Sequence, residues 1–365
     1  MSGGWGSRLS RIGDRSAAAN RHAFDRPDLL HPNVGSSTRG WAHYGVMIPD
    51  LPAPYAYFDV MSIVGTPGAA VFDNDHLMQG SPRNTATFVS ATATMGHFEA
   101  YSVRDDCELA PDGSLIRFAD HLTLSGTYPD FHLAADYPGT GFTADLTVTA
   151  TPTVTWFVRS RFYDHYSLLC RYEGWVATAG ERTPVAGMCT YEYGGSGSIY
   201  NLADSPWLAR LKVPIDQFTY QIANLDDTSQ LLLGRNRLRR LDLGAFAAVR
   251  STDRPGSRRY EAALTITPAT EPLATPDGRQ MVVPDGVRWT IRDGGRPIGH
   301  FEATVDTPWV YGLGAGYVAG YEITGELTEP GGQGTYALDG ARGYIEWADA
   351  RPLDRQRSQP VSDAD

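Results

Sequence analysis

The amino-acid sequence predicts an all-β protein, because short strand-like runs follow one another along most of the chain. Runs such as "TATFVSATATMGHFEAYSV", "TADLTVTATP" and "YEAALTITP" are rich in β-branched and aromatic residues. Gly, Pro, Asp or Asn usually separates one run from the next, and helix signals are few. Many short strands at close spacing, with little helix, are typical of β-sandwiches and antiparallel barrels.

Length and charge limit the classes of function that the chain can have. Its 365 residues suffice for two domains, or one large domain, with a sizeable core. The formal net charge of −11 argues against general nucleic-acid binding, which requires a basic surface. We expect no integral membrane segment, because no apolar run reaches about 18 residues, and no secretory signal, because the N-terminus lacks an apolar stretch. These features predict a cytoplasmic protein without a nucleic-acid partner and leave the oligomeric state open.

Three cysteines, Cys107, Cys170 and Cys189, are scattered along the chain. Their odd number and the lack of a Cys-x-x-Cys spacing argue against a disulfide framework or a zinc site. We therefore expect three free thiols.

The second half of the chain echoes the first half in the same order. "YEGWVATAG" from Tyr172 is echoed by "YEITGELTE" from Tyr321, and "GMCTYEY" is echoed by "GARGYIEW", which pairs Tyr191 with Tyr344. Such an internal repeat predicts two similar β domains joined near "NLADSPW". The predicted divisions are an irregular N-terminal arm, two barrels and a disordered tail, at residues 1–40, 41–204, 205–349 and 350–365.

Three blocks of sequence resemble AttH-like proteins, the group that includes carotenoid 1,2-hydratase (hydroxyneurosporene synthase). They are "HYSLLCRYEGWVATAGERTPVAGMCTYEYGG", "FTYQIANLDDTSQLLLGRNRLRR" and "GARGYIEW". In the first block, Glu192, Tyr193 and Gly194 stand where that family has Glu-Trp-Gly. The Asp and His that precede this glutamate in the family are Thr190 and Tyr191 here.

The resemblance implies two lipocalin-like antiparallel β-barrels in tandem, with an apolar pocket in or between them. It also implies a hydrophobic small-molecule ligand, such as an isoprenoid, a sterol or a polyene, and no cofactor. Members of that group hydrate or cyclise such molecules, so hydration, isomerisation or cyclisation is the expected chemistry. The alternatives are a lipid carrier without turnover and a structural protein whose cavities are filled by side chains.

Three carboxylates are candidate catalytic residues: Glu192, Asp164 and Asp227. Protonating an alkene requires a neutral carboxylic acid, and burial among aromatic residues keeps a carboxyl group protonated. Glu192 lies between two tyrosines, and we expect it to face a cavity at the end of the first barrel. The alternative is a surface charge, and the lost Asp-His pair favours anchoring of a ligand over catalysis.

The two aspartates have structural alternatives. Asp164 shares a strand face with Tyr166 and Cys170, where an aspartate is costly unless it is paired. The alternative is that "YDHY" breaks the strand as a turn. Asp227 follows Asp226, so at most one of them faces inward along a strand, and "LDDT" is also typical of a hairpin turn.

Candidate ligand-binding residues are mostly aromatic. In "TMGHFEAYSV" alternate residues share one face, which either lines a cavity or forms a wet outer surface. The full set of candidates is Tyr191, Tyr193, His97, Glu99, Trp156, Tyr166, Tyr220 and Trp289.

Other polar clusters and known motifs give no further candidate. We predict no metal site, since "FDNDH" at 72–76 is more typical of a turn than of a metal loop. The basic "RNRLRR" at 235–240 is either a solvated segment or a contact for an anionic headgroup. The sequence has no Gly-x-Ser-x-Gly elbow, His-Glu-x-x-His, P-loop or dinucleotide-binding fingerprint.

Overall fold

The computed structural model describes residues 13–239 and 241–357. Nearly all regular structure in this part of the chain is antiparallel sheet, which confirms the all-β prediction. The α-helices are short, α1 at Ser16–Ala19 and α2 at Leu353–Arg357. Short 3₁₀ helices lie at Pro27–Leu29, Asp75–Leu77, Pro82–Asn84, Ile199–Asn201, Pro206–Leu211 and Pro330–Gly332.

The first sheet has 11 strands in the order β4-β3-β2-β1-β11-β10-β9-β8-β7-β6-β5. It curls into a barrel-like form around one apolar core. Its strands are β1 (Trp41–Leu51), β2 (Ala56–Val64), β3 (Thr85–Thr92), β4 (Met95–Ser102), β5 (Cys107–Leu109), β6 (Leu115–Phe118), β7 (Leu122–Thr127), β8 (Asp130–Tyr137), β9 (Phe142–Arg159), β10 (Tyr163–Thr178) and β11 (Glu181–Ser196).

The second sheet has nine strands and closes on itself, because β19 pairs with β21 as well as with β18. Its strands, with a two-stranded ribbon formed by β16 and β17, are β12 (Ile215–Asn224), β13 (Ser229–Leu238), β14 (Leu241–Ser251), β15 (Arg254–Pro268), β16 (Leu273–Ala274), β17 (Gln280–Met281), β18 (Pro284–Asp293), β19 (Arg296–Val305), β20 (Val310–Leu313), β21 (Gly316–Glu329) and β22 (Gly334–Asp349).

Each barrel encloses its own apolar core, and a third apolar cluster lies between the barrels. Alternation of side chains along each strand explains this division, since one face of a strand points into its barrel and the other points out. The third cluster combines residues of both sheets, such as Met47 and Tyr57 with Leu232 and Tyr344. The fold is therefore two lipocalin-like antiparallel barrels in tandem, as predicted.

A buried arginine of the second barrel binds the first barrel. Arg250 on β14 donates from Nη1 to the carbonyl oxygen of Ser167 at 2.9 Å and to its hydroxyl at 3.0 Å. Its Nη2 donates to Oε1 of Gln230 at 2.6 Å. The Thr153 hydroxyl of β9 also donates across to the backbone of Ser251 at 2.8 Å. The outer faces of the two barrels are thus joined by polar contacts as well as by apolar packing.

The described parts of both chain ends pack against the barrels. Phe24, Leu29 and Leu30 belong to the first core, so residues 13–40 lack strands but are held in place. The predicted disorder of the tail is wrong for residues 350–357, because they include α2, whose Gln356 is buried and accepts a hydrogen bond from the backbone of Val282. Residues 1–12 and 358–365 lie outside the described residues.

The two halves of the repeat correspond through Glu192 and Glu346 rather than through Tyr191 and Tyr344. Tyr191 points into the first barrel, whereas Tyr344 points into the cluster between the barrels. The pairing of these two tyrosines is therefore one residue out of step, because neighbouring residues of a strand face opposite sides. Glu192 and Glu346 share the same facing. The boundary between domains at 204/205 stays a prediction.

The three cysteines are free thiols, and Cys170 lies opposite Cys189 across β10 and β11. Within the described residues, no helix has the length and apolar character that a membrane crossing requires.

Candidate functional site

A cavity of about 50 Å³ lies between the two barrels. We call it the inter-barrel cavity. Its wall combines apolar and aromatic side chains with two histidines and two glutamates, one glutamate from each barrel. The lining residues are Trp41, His43, Met61, Ile63, Pro67, Phe72, Tyr163, His165, Glu192, Phe218, Leu313 and Glu346.

Three adjacent strands of the first barrel place the polar groups of one wall. His43 on β1 and His165 on β10 both lie opposite Gly194 of β11, and Glu192 is two residues earlier on the same face. A Cβ atom at Gly194 would lie 3.2 Å from Cδ2 of His165, so the glycine leaves the space that the imidazole ring occupies.

The two imidazole rings point their Nε2 atoms toward the glutamate. The distance from Nε2 to Oε2 of Glu192 is 3.7 Å for His43 and 3.9 Å for His165. Nδ1 of His43 lies 3.0 Å from the carbonyl oxygen of Ser62, which only an N–H can contact favourably. Nδ1 of His165 lies 2.9 Å from the Tyr163 hydroxyl. These partners fix both rings.

Burial and neighbouring groups act in opposite directions on Glu192, which is only 3% exposed. Burial raises its pKa, but the adjacent imidazoles of His43 and His165, together with the Tyr220 hydroxyl, lower the pKa by more. The net shift is downward, so Glu192 is ionised near neutral pH. Burial lowers the pKa of His165 to about 4, an effect that the charge of Glu192 only partly offsets, so this ring is neutral.

The opposite wall carries a second glutamate, Glu346, whose pKa is shifted upward instead of downward. Glu346 on β22 is buried, and its Oε1 accepts a hydrogen bond from the Tyr344 hydroxyl at 3.1 Å. Burial raises its pKa well above the usual range, and the charges of Glu192 and Asp59 raise it further. Burial also raises the pKa of Asp59, which lies beside Tyr344. Burial therefore favours the neutral, protonated form of Glu346, which faces Glu192 across the cavity.

Such a pair of carboxyl groups can move protons. Two titratable groups whose environments separate their pKa values divide the roles of acid and base between them. Glu346 can donate a proton into the cavity, and the group of Glu192, His43 and His165 can accept one. The aromatic side chains of Trp41, Tyr163 and Phe218 border the same space.

The loop between β2 and β3, residues 65–84, covers one side of the cavity with Pro67 and Phe72. It is tied to the second barrel, since the Tyr311 hydroxyl donates to Oδ1 of Asn74 at 2.7 Å. Nζ of Lys212 lies 3.0 Å from Asp73 and 2.6 Å from Asp75. The "FDNDH" carboxylates therefore fasten this loop instead of forming a group of metal ligands.

The structure brings one of the three predicted catalytic residues to the cavity. Glu192 lines it. We expected this cavity at the end of the first barrel, but it lies between the two barrels. Asp164 is buried in an ion pair with Arg39, whose Nη2 lies 2.5 Å away. Asp227 is exposed in the hairpin turn between β12 and β13, so the structure does not bring it to the cavity.

Most predicted ligand-binding aromatic residues fill the barrel cores. Tyr191 stacks on Phe131, with ring centroids 4.2 Å apart, because the residues flanking Glu192 face the opposite side of β11. Tyr220 instead faces the interface, where its hydroxyl lies near Glu192. The remaining aromatic candidates lie within a core, namely Tyr193, Trp156 and Tyr166 in the first barrel and Trp289 in the second.

His97 and Glu99 form a separate cluster with Tyr101 and His121, which we call the rim cluster. His97 stacks on Tyr137 of the first core, with ring centroids 4.7 Å apart, and Glu99 is exposed. The face of β4 that was predicted to be either a cavity lining or a wet surface is therefore mixed. His97 packs on the apolar core, whereas Glu99 is open to solvent. Of "RNRLRR", Arg235 is paired with Asp242 on β14, and Arg240 lies outside the described residues.

Sequence reasoning missed His43, His165 and Glu346. A signal for Glu346 was present, because "YIEW" echoes the "TYEY" that contains Glu192. His165 precedes Tyr166 on β10 and therefore faces the opposite side of the strand, but nothing in the sequence indicated that Glu192 shares that face. His43 stands alone in "WAHYG", and only the pairing of β1 with β11 brings it to the site.

Comparison with known proteins identifies the family and the fold. A family model matches residues 61–360, and the chain belongs to that family, DUF6670, a family of unknown function. No curated protein matches the chain. A solved structure described as an AttH protein from Nitrosomonas europaea is 15% identical, with a TM-score of 0.58, and covers 89% of this chain and 96% of its own. Kievitone hydratase from Nectria haematococca is 13% identical, with a TM-score of 0.58, and covers 91% of this chain and 94% of its own.

Proposed function

We propose that this member of DUF6670 binds a hydrophobic small molecule, of the isoprenoid, sterol or polyene class, in the inter-barrel cavity and adds water to one of its double bonds. One observation carries the proposal. An apolar and aromatic cavity has a neutral glutamic acid, Glu346, on one wall and an ionised Glu192 with two imidazoles on the other. The fold is shared with a hydratase of kievitone, and the proposed chemistry is of the same class.

The reaction follows from these positions. Glu346 gives its proton to one alkene carbon, which leaves a carbocation on the other carbon and a carboxylate on Glu346. The faces of Trp41, Tyr163 and Phe218 stabilise the positive charge. A water held at Glu192 adds its oxygen to the cation and passes a proton to the Glu192–His43 side. Return of one proton to Glu346 completes the cycle. Loss of a proton from the cation, without water addition, would give isomerisation.

A carrier without turnover is the second candidate, because the 65–84 loop covers one side of the cavity and can enclose a bound ligand. Pockets for drug-sized ligands usually measure about 300–1,000 Å³, whereas this cavity measures about 50 Å³. A long ligand therefore requires the 65–84 loop to move. A loop that opens and closes over the cavity in this way is compatible with a carrier that encloses its ligand.

Ligand extraction and labelled water separate these functions. Purified protein is extracted with organic solvent for mass spectrometry, and it is then incubated with linear isoprenoid alkenes in ¹⁸O-labelled water. We expect a labelled alcohol, formed at least about 100-fold more slowly by Glu346→Gln and by Glu192→Gln. The exposed Glu302→Gln is the control, because Glu302 pairs with Arg288 at the surface. A bound lipid without product favours the carrier, and neither lipid nor product refutes both.

A further inference from the structure

We propose that the rim cluster is a binding site for a divalent metal ion of the zinc type, separate from the inter-barrel cavity. Nε2 of His97, Oε2 of Glu99 and Nδ1 of His121 all lie within 4.8 Å of one another. The Tyr101 hydroxyl lies among them, 3.3 Å from His97, 3.0 Å from Glu99 and 2.8 Å from His121. Two nitrogen and two oxygen donors thus converge on one point.

The spacing of these atoms matches that of a coordination shell. In a tetrahedral zinc site with bonds of about 2.0–2.1 Å, neighbouring ligand atoms are about 3.3 Å apart. Oε2 of Glu99 lies 3.7 Å from Nε2 of His97 and 3.4 Å from Nδ1 of His121. Together with the three distances to Tyr101, these values lie on both sides of the ideal, so only small shifts would bring all four atoms into contact with an ion.

The backbone holds the donors in place and leaves the ion a route. Alternation along β4 puts His97, Glu99 and Tyr101 on one face, and His121 comes from the turn before β7. The His97 ring packs against both Phe88 and Tyr137. The Glu99 side chain is 48% exposed, so the site opens to solvent.

The inter-barrel group of His43, His165 and Glu192 is the competing candidate. It offers three donor atoms, with histidine-to-glutamate distances of 3.7 and 3.9 Å, against 3.7 and 3.4 Å in the rim cluster. It also lies in the wall of the inter-barrel cavity. Its residue types match those of the rim cluster, so it provides an internal comparison.

The site has a second consequence, because it joins two edges of the first sheet. β4 is the last strand at one end of the sheet order, whereas β7 lies near the other end. No β-ladder among the described residues pairs β4 with β5, β6 or β7. An ion held by His97, Glu99 and His121 would cross-link these edges, so binding should raise the melting temperature as well as occupy the site.

The test is zinc titration of chelator-treated full-length protein, read by calorimetry and by thermal melting. We expect one ion per chain, a higher melting temperature, and an affinity at least roughly 100-fold lower for His97→Gln/His121→Gln and for Glu99→Gln. Glu99→Gln serves as the second variant, because its exposed side chain can change without disturbing the core. His43→Gln/His165→Gln and the exposed His76→Gln should bind as wild type does.

Three results would overturn the site: no zinc binding by wild type, binding that survives in the rim variants, or binding that is lost in His43→Gln/His165→Gln. X-ray absorption of the zinc complex adds a direct readout, since bonds of about 2.0–2.1 Å to nitrogen and oxygen are expected. No substrate is present in these measurements, so failure of the proposed hydration would leave the metal site unaffected.

Discussion

The two barrels have the same architecture but are closed in different ways. In the second barrel, backbone hydrogen bonds between β19 and β21 run from Gly299 to Val305 on β19 and complete the ring of strands. In the described part of the first barrel, the edge strand β4 has no such ladder to the far edge, and the rim cluster spans the gap with side chains. Backbone closure needs no particular side chains. Side-chain closure needs polar groups, and these are the groups that can bind an ion.

Substitution of Gly299 should have the largest effect, because it tests the backbone closure. A Cβ atom there would lie 2.7 Å from the carbonyl oxygen of Glu326 and 2.9 Å from Cα of Leu327, which are backbone atoms that cannot move aside easily. We expect Gly299→Ala to destabilise the protein by about 2–3 kcal/mol in urea unfolding. Gly139→Ala is the matched control in the first barrel, since nothing lies within 4 Å of its Cβ position. Equal effects of the two substitutions would contradict the argument.

Removal of one hydroxyl tests the side-chain closure. Tyr101→Phe keeps the ring in the first core but loses the contacts to Glu99 at 3.0 Å and His121 at 2.8 Å. The expected loss is about 1–2 kcal/mol, measured by urea unfolding without added metal. Hydrogen exchange should increase first in β4 and in the β6–β7 turn. An unchanged unfolding curve would show that the hydroxyl does not help to close the first barrel.

The interface between the barrels should give an effect that depends on pH. Burial raises the pKa of Glu346, so above the unfolded-state pKa of about 4.3 the folded protein holds a proton that the unfolded chain has released. Stability from this group therefore falls as the pH rises, by at most about 1.4 kcal/mol per pH unit. Glu346→Gln lacks this titration, so its stability relative to wild type should improve between pH 5 and pH 8. A constant difference across this range would mean that Glu346 is ionised in the folded state.

The smallest effect is expected at Asp227, in the turn of the β12–β13 hairpin. Its neighbour Asp226 accepts the turn hydrogen bonds, from the backbone of Thr228 at 2.8 Å and of Ser229 at 2.7 Å. Asp227→Asn should change stability by less than about 0.5 kcal/mol and leave any ligand bound. A larger change would mean that this turn has a role that the structure does not indicate.

The sequence predicted the barrels better than it predicted the site. Strand runs, turn residues and the internal echo are local patterns, and they were enough for the fold class and for the candidacy of Glu192. The cavity depends on which strand faces meet across the interface. His43 carries no local signal of that meeting, and the echo that marks Glu346 does not show which face it occupies. The tyrosines beside Glu192 were misleading for the same reason. They surround the glutamate in sequence but point away from it in space.

Arg250 has a thermodynamic consequence for the chain as a whole. Its fully buried guanidinium is satisfied partly by Gln230 of its own barrel and partly by Ser167 of the other barrel. If the first barrel unfolded alone, the Arg250 guanidinium would lose its hydrogen bonds to Ser167, and the apolar surface that the first barrel covers would be exposed to water. The two barrels are therefore coupled in stability, and calorimetry should record a single endotherm in which they melt as one cooperative unit.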